Sequence, residues 1–128
     1  MRKINYIVCH CTATDQDATV EAIKNFWENN LGWKNPGYHF IIEKNGTIHN
    51  LQPIDKLSNG VRGYNANSIH VAYIGGKLID DRTPQQKASM RSVVKVMQSM
   101  FPDAKVQGHR DFPNVSKSCP RFDAKNEF

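Results

Sequence analysis

Ile4 to Cys11 is rich in Ile, Val and Tyr and predicts a strand, which the polar stretch Thr12 to Asp17 ends. From Thr19 onward Val20, Ile23, Trp27 and Leu31 recur every three or four positions, with Glu21, Lys24 and Glu28 between them. That period puts the apolar side chains on one face of a helix that Gly32 stops. Tyr38 to Lys44 and Thr47 to Leu51 flank Asn45-Gly46, a dipeptide whose residues tolerate positive φ, and so predict a hairpin. Ser68 to Ile74 predicts a further strand closed by Gly75-Gly76. Thr83-Pro84-Gln85-Gln86 supplies an N-cap hydroxyl, a proline at the first helical position and a capping-box glutamine. Behind it Met90, Val93, Val94, Met97 and Phe101 form an apolar stripe, with Lys87, Arg91 and Lys95 on the opposite face, and Pro102 ends the helix. Lys105 to Gln107 predicts a last short strand, and Gly108 to Phe128 an irregular tail held down by something other than regular hydrogen bonding. The order β-α-β-β-β-α-β predicts an α/β fold: a mixed central sheet of about five strands flanked by two main helices.

Length and composition narrow this to one domain over residues 1–128. With 39% hydrophobic and 23% charged residues the chain is neither wholly disordered nor fibrous, and a domain of this size folds on an ordinary core without disulfide staples. No apolar run approaches the ~18 residues of a membrane span, so no membrane role is expected. Met1-Arg2-Lys3 has the charge of a secretory leader, but Asn5 interrupts the apolar stretch and no cleavage site follows; synthesis in the cytoplasm is expected. Three cysteines, an odd number, argue against a disulfide framework. The net charge of +5 favours an anionic partner, whether nucleic acid, lipid headgroup or bacterial wall, and does not choose among them.

The chemistry is in the histidines and cysteines. Alternation along a strand turns Cys9 and Cys11 to one face and His10 to the other, so the two cysteines read as small buried residues under a helix. His109, in Gly108-His109-Arg110-Asp111, and Cys119, in Lys117-Ser118-Cys119-Pro120, lie ten positions apart on the non-repetitive tail. With His10 they make three ligands, the number a catalytic zinc keeps so that a fourth position stays open, although this spacing alone is a weak signal. His109-Arg110-Asp111 also imitates the start of a kinase catalytic loop, but the chain is too short, lacks a glycine-rich loop and has Ser116 where the metal-binding asparagine would fall.

Six stretches occur in register: Val8-Cys9-His10-Cys11-Thr12-Ala13-Thr14, Gly37-Tyr38-His39-Phe40, Asn45-Gly46-Thr47, Gly63-Tyr64-Asn65 through Ser68-Ile69 to Gly75-Gly76, Gly108-His109-Arg110-Asp111, and Cys119-Pro120. In this order they resemble the type 2 N-acetylmuramoyl-L-alanine amidases, a zinc amidase superfamily that includes amidase-type phage lysozymes and the peptidoglycan recognition proteins. The resemblance runs from about Ile4 to Asp123. It implies zinc ligands at His10, His109 and Cys119, a catalytic tyrosine at Tyr38 and a catalytic lysine at Lys117. It also implies one Zn2+ per chain at the floor of a groove, with helices packed on the other side of the sheet.

The implied reaction is hydrolysis of the amide between the lactyl group of N-acetylmuramic acid and L-alanine. Tyr38 would orient or deprotonate water or donate to the carbonyl, and Lys117 would hold the oxyanion. Arg62, Tyr64 and Asn65 are expected beside the groove, touching stem peptide or sugar. Peptidoglycan or muropeptides are the implied partner of a monomer that acts on recycled fragments in the cytoplasm or reaches the wall by lysis or holin release, as endolysins do. His39, facing away from Tyr38, and the strand residues His49 and His70, half-buried or exposed, are not expected as ligands. The chain departs from the pattern twice. His70 stands where glycine is usual, and Gly60 stands near the point where many relatives have a histidine. Two rivals remain: a peptidoglycan-binding module without catalysis, disfavoured by the presence of Cys119, and a basic nucleic-acid binder, for which no reading motif is found.

Overall fold

The computed structural model describes residues 1–128. Its centre is one five-stranded sheet formed by β1 (Tyr6–Cys11), β2 (Phe40–Ile42), β3 (Ile48–Asn50), β4 (Ser68–Tyr73) and β5 (Lys105–Gly108), in the order β3-β2-β4-β1-β5. β1 pairs in parallel with both β4 and β5, β4 pairs in parallel with β2, and β3 is an antiparallel edge on β2. Central parallel strands are covered on both faces and therefore read as nearly unbroken apolar runs. β1 and β4 do, and all of β4 is buried.

One face carries Ile7, Cys9 and Cys11 of β1 with Ile69, Val71 and Tyr73 of β4, and packs against Met90, Val93, Val94 and Met97 of the long helix α2 (Pro84–Met100). The predicted capping box starts α2: the Thr83 hydroxyl accepts from the Gln86 amide and the Gln86 side chain accepts from the Thr83 amide, both at 3.0 Å. Gln86 is fully buried because its side-chain amide also donates to the Ile42 and Ile74 carbonyls at 3.2 and 2.9 Å, which fixes the helix start to the sheet.

The opposite face carries Val8, His10, His70 and Ala72, together with Ile41. Here the elements are shorter. Helix α1 (Val20–Asn25) passes into a single π-helical turn, Phe26–Asn30. The wider turn throws the apolar stripe out of step: Ile23 and Trp27 pack on Ile41 and Ile74, while Leu31, expected on the same stripe, is 44% exposed. α1 thus flanks the groove side of the sheet, which corrects the expectation that the helices lie on one side only.

The hairpin strands are three residues each, shorter than the sequence pattern suggested. The tail contains one short helix, α3 (Ala124–Glu127), and side chains hold it down. Arg82, buried, forks between Asp80 and Glu127 at 2.8–2.9 Å with its guanidinium 3.5 Å from the Phe122 ring centroid. Tyr73 donates to the Pro120 carbonyl at 2.8 Å and Arg121 to that of Gly76 at 3.0 Å. No helix is long and apolar enough to cross a membrane.

Candidate metal centre and groove

The site forms at the C-terminal ends of β1 and β5, the end of a parallel sheet where α/β folds bind ligands. β1 presents His10, and β5 runs into a 3-10 turn, His109–Asp111, that presents His109. β5 stops opposite Cys9, so the Cys11 amide has no partner in that ladder; it donates instead to Cys119 Sγ at 3.2 Å. The tail comes this close because residue 108 is glycine: a Cβ there would fall 2.6 Å from Pro120 Cδ. Arg110 adds a backbone bond to the Cys119 carbonyl at 2.8 Å.

Together these contacts bring the ligand atoms of His10, His109 and Cys119 within 4.8 Å of one another, close enough to hold a metal ion. The His10 and His109 ring centroids are 5.0 Å apart, and His10 Nδ1 is 3.8 Å from Cys119 Sγ. The Tyr38 ring centroid is 5.0 Å from that of His10, its edge meets Trp27 at 5.4 Å, and its hydroxyl donates to the Cys11 carbonyl at 3.3 Å. The cluster floors a cleft of about 160 Å³ walled by Trp27, Trp33, Tyr38 and Lys117. The cleft continues past Trp33, Gly60 and Lys117 into a wider trough of about 470 Å³ edged by Arg62 and Asn65. A shallower depression of about 490 Å³ between residues 16–19 and 43–45 contains none of the candidate residues.

The electrostatics suit a cation. Burial, and then the charges of His70, His109 and Lys117, hold His10 well below the ordinary imidazole range. Burial and Lys117 lower His109 to about 4. Both rings are therefore neutral near pH 7, each with a lone pair to offer. The hydrogen-bonded Cys11 thiol and burial push the Cys119 thiol up, so a cation is what would make it a thiolate. Burial, with the Cys119 and Cys11 thiols, raises Tyr38 well above its usual value, and its hydroxyl keeps its proton.

The structure brings together His10, His109, Cys119, Tyr38 and Lys117 and separates the three expected groove residues. Arg62 is exposed on the trough edge. The Tyr64 ring instead packs on Phe112 and Tyr6, at 4.5 and 5.9 Å, in the small cluster around Val8 and Val61. Apolar neighbours on that side hold the ring, and Tyr64 as a whole is half-buried. Asn65 edges the trough, but its side-chain oxygen is turned inward, accepting from the Gly60 and Val61 amides at 3.1 and 2.8 Å.

Of the other histidines, His49 lies on the β3 edge with its Nε2 3.1 Å from Glu43. His39 is fully buried, bonded to the Lys56 carbonyl at 2.7 Å and to Ser58 Oγ at 3.0 Å. His70 is fully buried, not half-buried or exposed, and its Nδ1 is 2.8 Å from His10 Nε2. Sequence reasoning missed this contact and the part played by the Cys11 backbone. Strand alternation placed His10 and His70 on unspecified faces of separate strands; only the parallel register, Val8 opposite His70 and His10 opposite Ala72, makes them neighbours.

An α/β domain on a mixed, mostly parallel sheet, with a His-His-Cys cluster under an open groove, defines a small enzyme domain with one candidate metal centre. The comparisons give it a family. The family model described as N-acetylmuramoyl-L-alanine amidase matches residues 1–122. The endolysin of Escherichia phage T7 is 35% identical over 128 aligned residues, which cover 93% of this chain and 82% of the relative. The N-acetylmuramoyl-L-alanine amidase LysCS of Clostridium intestinale superimposes with a TM-score of 0.83 at 28% identity, covering 95% of this chain and 78% of that one. The ectodomain complex of peptidoglycan recognition proteins LCa and LCx, solved with tracheal cytotoxin, matches with a TM-score of 0.82 at 20% identity, covering 94% and 77%, and shows the shared fold. The chain belongs to the N-acetylmuramoyl-L-alanine amidase family and is a peptidoglycan amidase.

Proposed function

We propose that this amidase is zinc-dependent, with His10, His109 and Cys119 as ligands, and that it cleaves the lactyl-L-alanine amide with Tyr38 and Lys117 as catalytic residues. The observation that carries the reading is the convergence of the three ligand atoms beneath the cleft that Tyr38 and Lys117 line. The donor set fits the metal: imidazole nitrogen and cysteine sulfur are both zinc ligands, and three protein ligands leave the fourth tetrahedral position free. Bound there, zinc supplies Lewis acidity, polarising a carbonyl and acidifying water.

The chain's own residues do the rest. The Cys11 backbone positions two of them at once, its amide on Cys119 Sγ and its carbonyl on the Tyr38 hydroxyl. The Tyr38 hydroxyl, held at the cleft by the Cys11 carbonyl, orients or deprotonates the water or donates to the carbonyl. Lys117, exposed on the cleft rim two residues before Cys119, places positive charge where the amide oxygen becomes anionic. Trp27 and Trp33 give the cleft apolar walls that exclude water and suit the faces of a sugar ring.

Tracheal cytotoxin in the LCa–LCx complex supports a muropeptide ligand for this fold, and the endolysin relatives support action on the cell wall. Arg62, on the trough beyond Lys117, is assigned to the acidic stem peptide or sugar. The test is digestion of purified peptidoglycan. New L-alanine amino termini should be released, a zinc chelator should stop the release, and added zinc should restore it. Undiminished release under complete chelation would overturn the zinc mechanism.

A further inference from the structure

We infer that His70 is a positioning residue for the metal centre: it fixes the tautomer and orientation of His10 through a buried His10–His70–Asn65 hydrogen-bond chain. This rests on the proposed zinc reading for its functional meaning, but the chain is defined by contacts within the protein.

The direction of each bond follows from the far end. Asn65 Oδ1 accepts from two backbone amides, Gly60 at 3.1 Å and Val61 at 2.8 Å, so this atom is the oxygen and not the amide nitrogen. His70 Nε2 lies 2.9 Å from the same oxygen and must therefore donate to it. A neutral imidazole that donates from Nε2 accepts at Nδ1, and His70 Nδ1 is 2.8 Å from His10 Nε2. His10 must then carry its proton on Nε2. Its Nδ1 is left bare, on the side of the ring that faces Cys119 Sγ at 3.8 Å. Both rings are at most 1% exposed, so no water competes for these atoms.

The His70 ring is itself locked. Its backbone amide donates to His39 Nδ1 at 3.0 Å, and its ring stacks on His39 at 6.0 Å with an interplanar angle of 18°. The space it occupies belongs to residue 60: a Cβ on Gly60 would fall 2.3 Å from His70 Nδ1 and 2.4 Å from Cγ. The two departures from the amidase pattern, His70 and Gly60, are thus in contact and depend on each other. The ring does not line the cleft; it buttresses a cleft residue from behind, as the outer partners of metal-bound histidines do.

The experiment has two arms. In zinc-free wild-type protein, 15N NMR of the imidazoles should show His10 and His70 both protonated on Nε2; His10 protonated on Nδ1 would overturn the inference without any variant. In the second arm, His70→Phe keeps a ring but removes the acceptor, and zinc affinity is measured by chelator competition. The zinc Kd should rise about 10- to 100-fold, and His10 should lose its single tautomer. A folded His70→Phe protein with wild-type zinc Kd and an unchanged His10 tautomer would contradict the proposal. Wild-type protein that takes up no zinc would overturn the metal reading itself, which the NMR arm does not touch.

Discussion

Cys9 and His10 are adjacent in β1, both buried, and face opposite sides of the same sheet. Around Cys9 the packing is mainly apolar and the long helix α2 seals the face; burial pushes the Cys9 thiol up to about 12 and leaves it inert. Around His10 the buried neighbours are histidines, His39 and His70, and half-buried Asn65 and Cys119 join them in a set of specified hydrogen bonds. The contrast teaches how one strand serves two ends. The α2 face gains stability from non-directional burial, while the His10 face carries polar groups that cost stability unless each finds its partner.

Substitutions should separate the two faces. The largest stability effect belongs to the α2 face: Met90→Ala, at a fully buried position, should cost about 2–5 kcal/mol in denaturant unfolding, with turnover per folded molecule unchanged. A comparable loss of turnover would mean that the faces are coupled.

On the other face Lys117→Ala should lower kcat about 10²- to 10³-fold with little change in KM or Tm, the scale of one oxyanion donor. A fully active variant would remove Lys117 from the mechanism.

Acid should weaken the His10 side selectively. Burial lowers His39 to about 4 from an ordinary 6.5, so between those values the unfolded chain binds more protons than the folded one. Stability is therefore full above about pH 6.5 and falls as pH drops towards 4. His39 alone contributes a loss on the order of 3 kcal/mol. Urea unfolding midpoints from pH 7 to 4 measure it, and His39→Gln, if it folds, should remove His39's share and leave that of His10, His70 and His109.

Tyr38→Phe keeps the ring on Trp27 and deletes the hydroxyl; steady-state kinetics should show a loss of about 10²-fold with zinc retained. Wild-type turnover would make Tyr38 a packing residue. The smallest effect is at the trough edge, where Arg62→Ala should raise KM more than it lowers kcat.

The α2 face was nearly all legible in the sequence. The Met90, Val93, Val94, Met97 stripe and the Thr83 capping box are local signals, and both are present where expected. The metal cluster was legible in composition and through the family resemblance. Its geometry was not, because it depends on the tail folding back through Arg82, Tyr73 and Gly108, contacts between residues far apart in sequence. His70 looked bland since alternation assigns a side but not a neighbour. The packing of Tyr64 on Tyr6 and Phe112 was not legible, because a glycine-punctuated loop gives no sign of which way its aromatic ring turns. The π-helical turn after α1 inserts its extra residue where the apolar period, read alone, predicts an unbroken helix.

The central claim is that the His10 face is a zinc site and the Cys9 face, one residue away, is only core. Metal analysis of freshly purified protein, compared across wild type, Cys9→Ser and Cys119→Ser, tests it directly. The account predicts one zinc per chain in wild type and in folded Cys9→Ser protein, and greatly reduced zinc in Cys119→Ser. Wild-type protein that holds no zinc and takes up none on titration, or a Cys119→Ser protein that binds zinc as tightly as wild type, would contradict it.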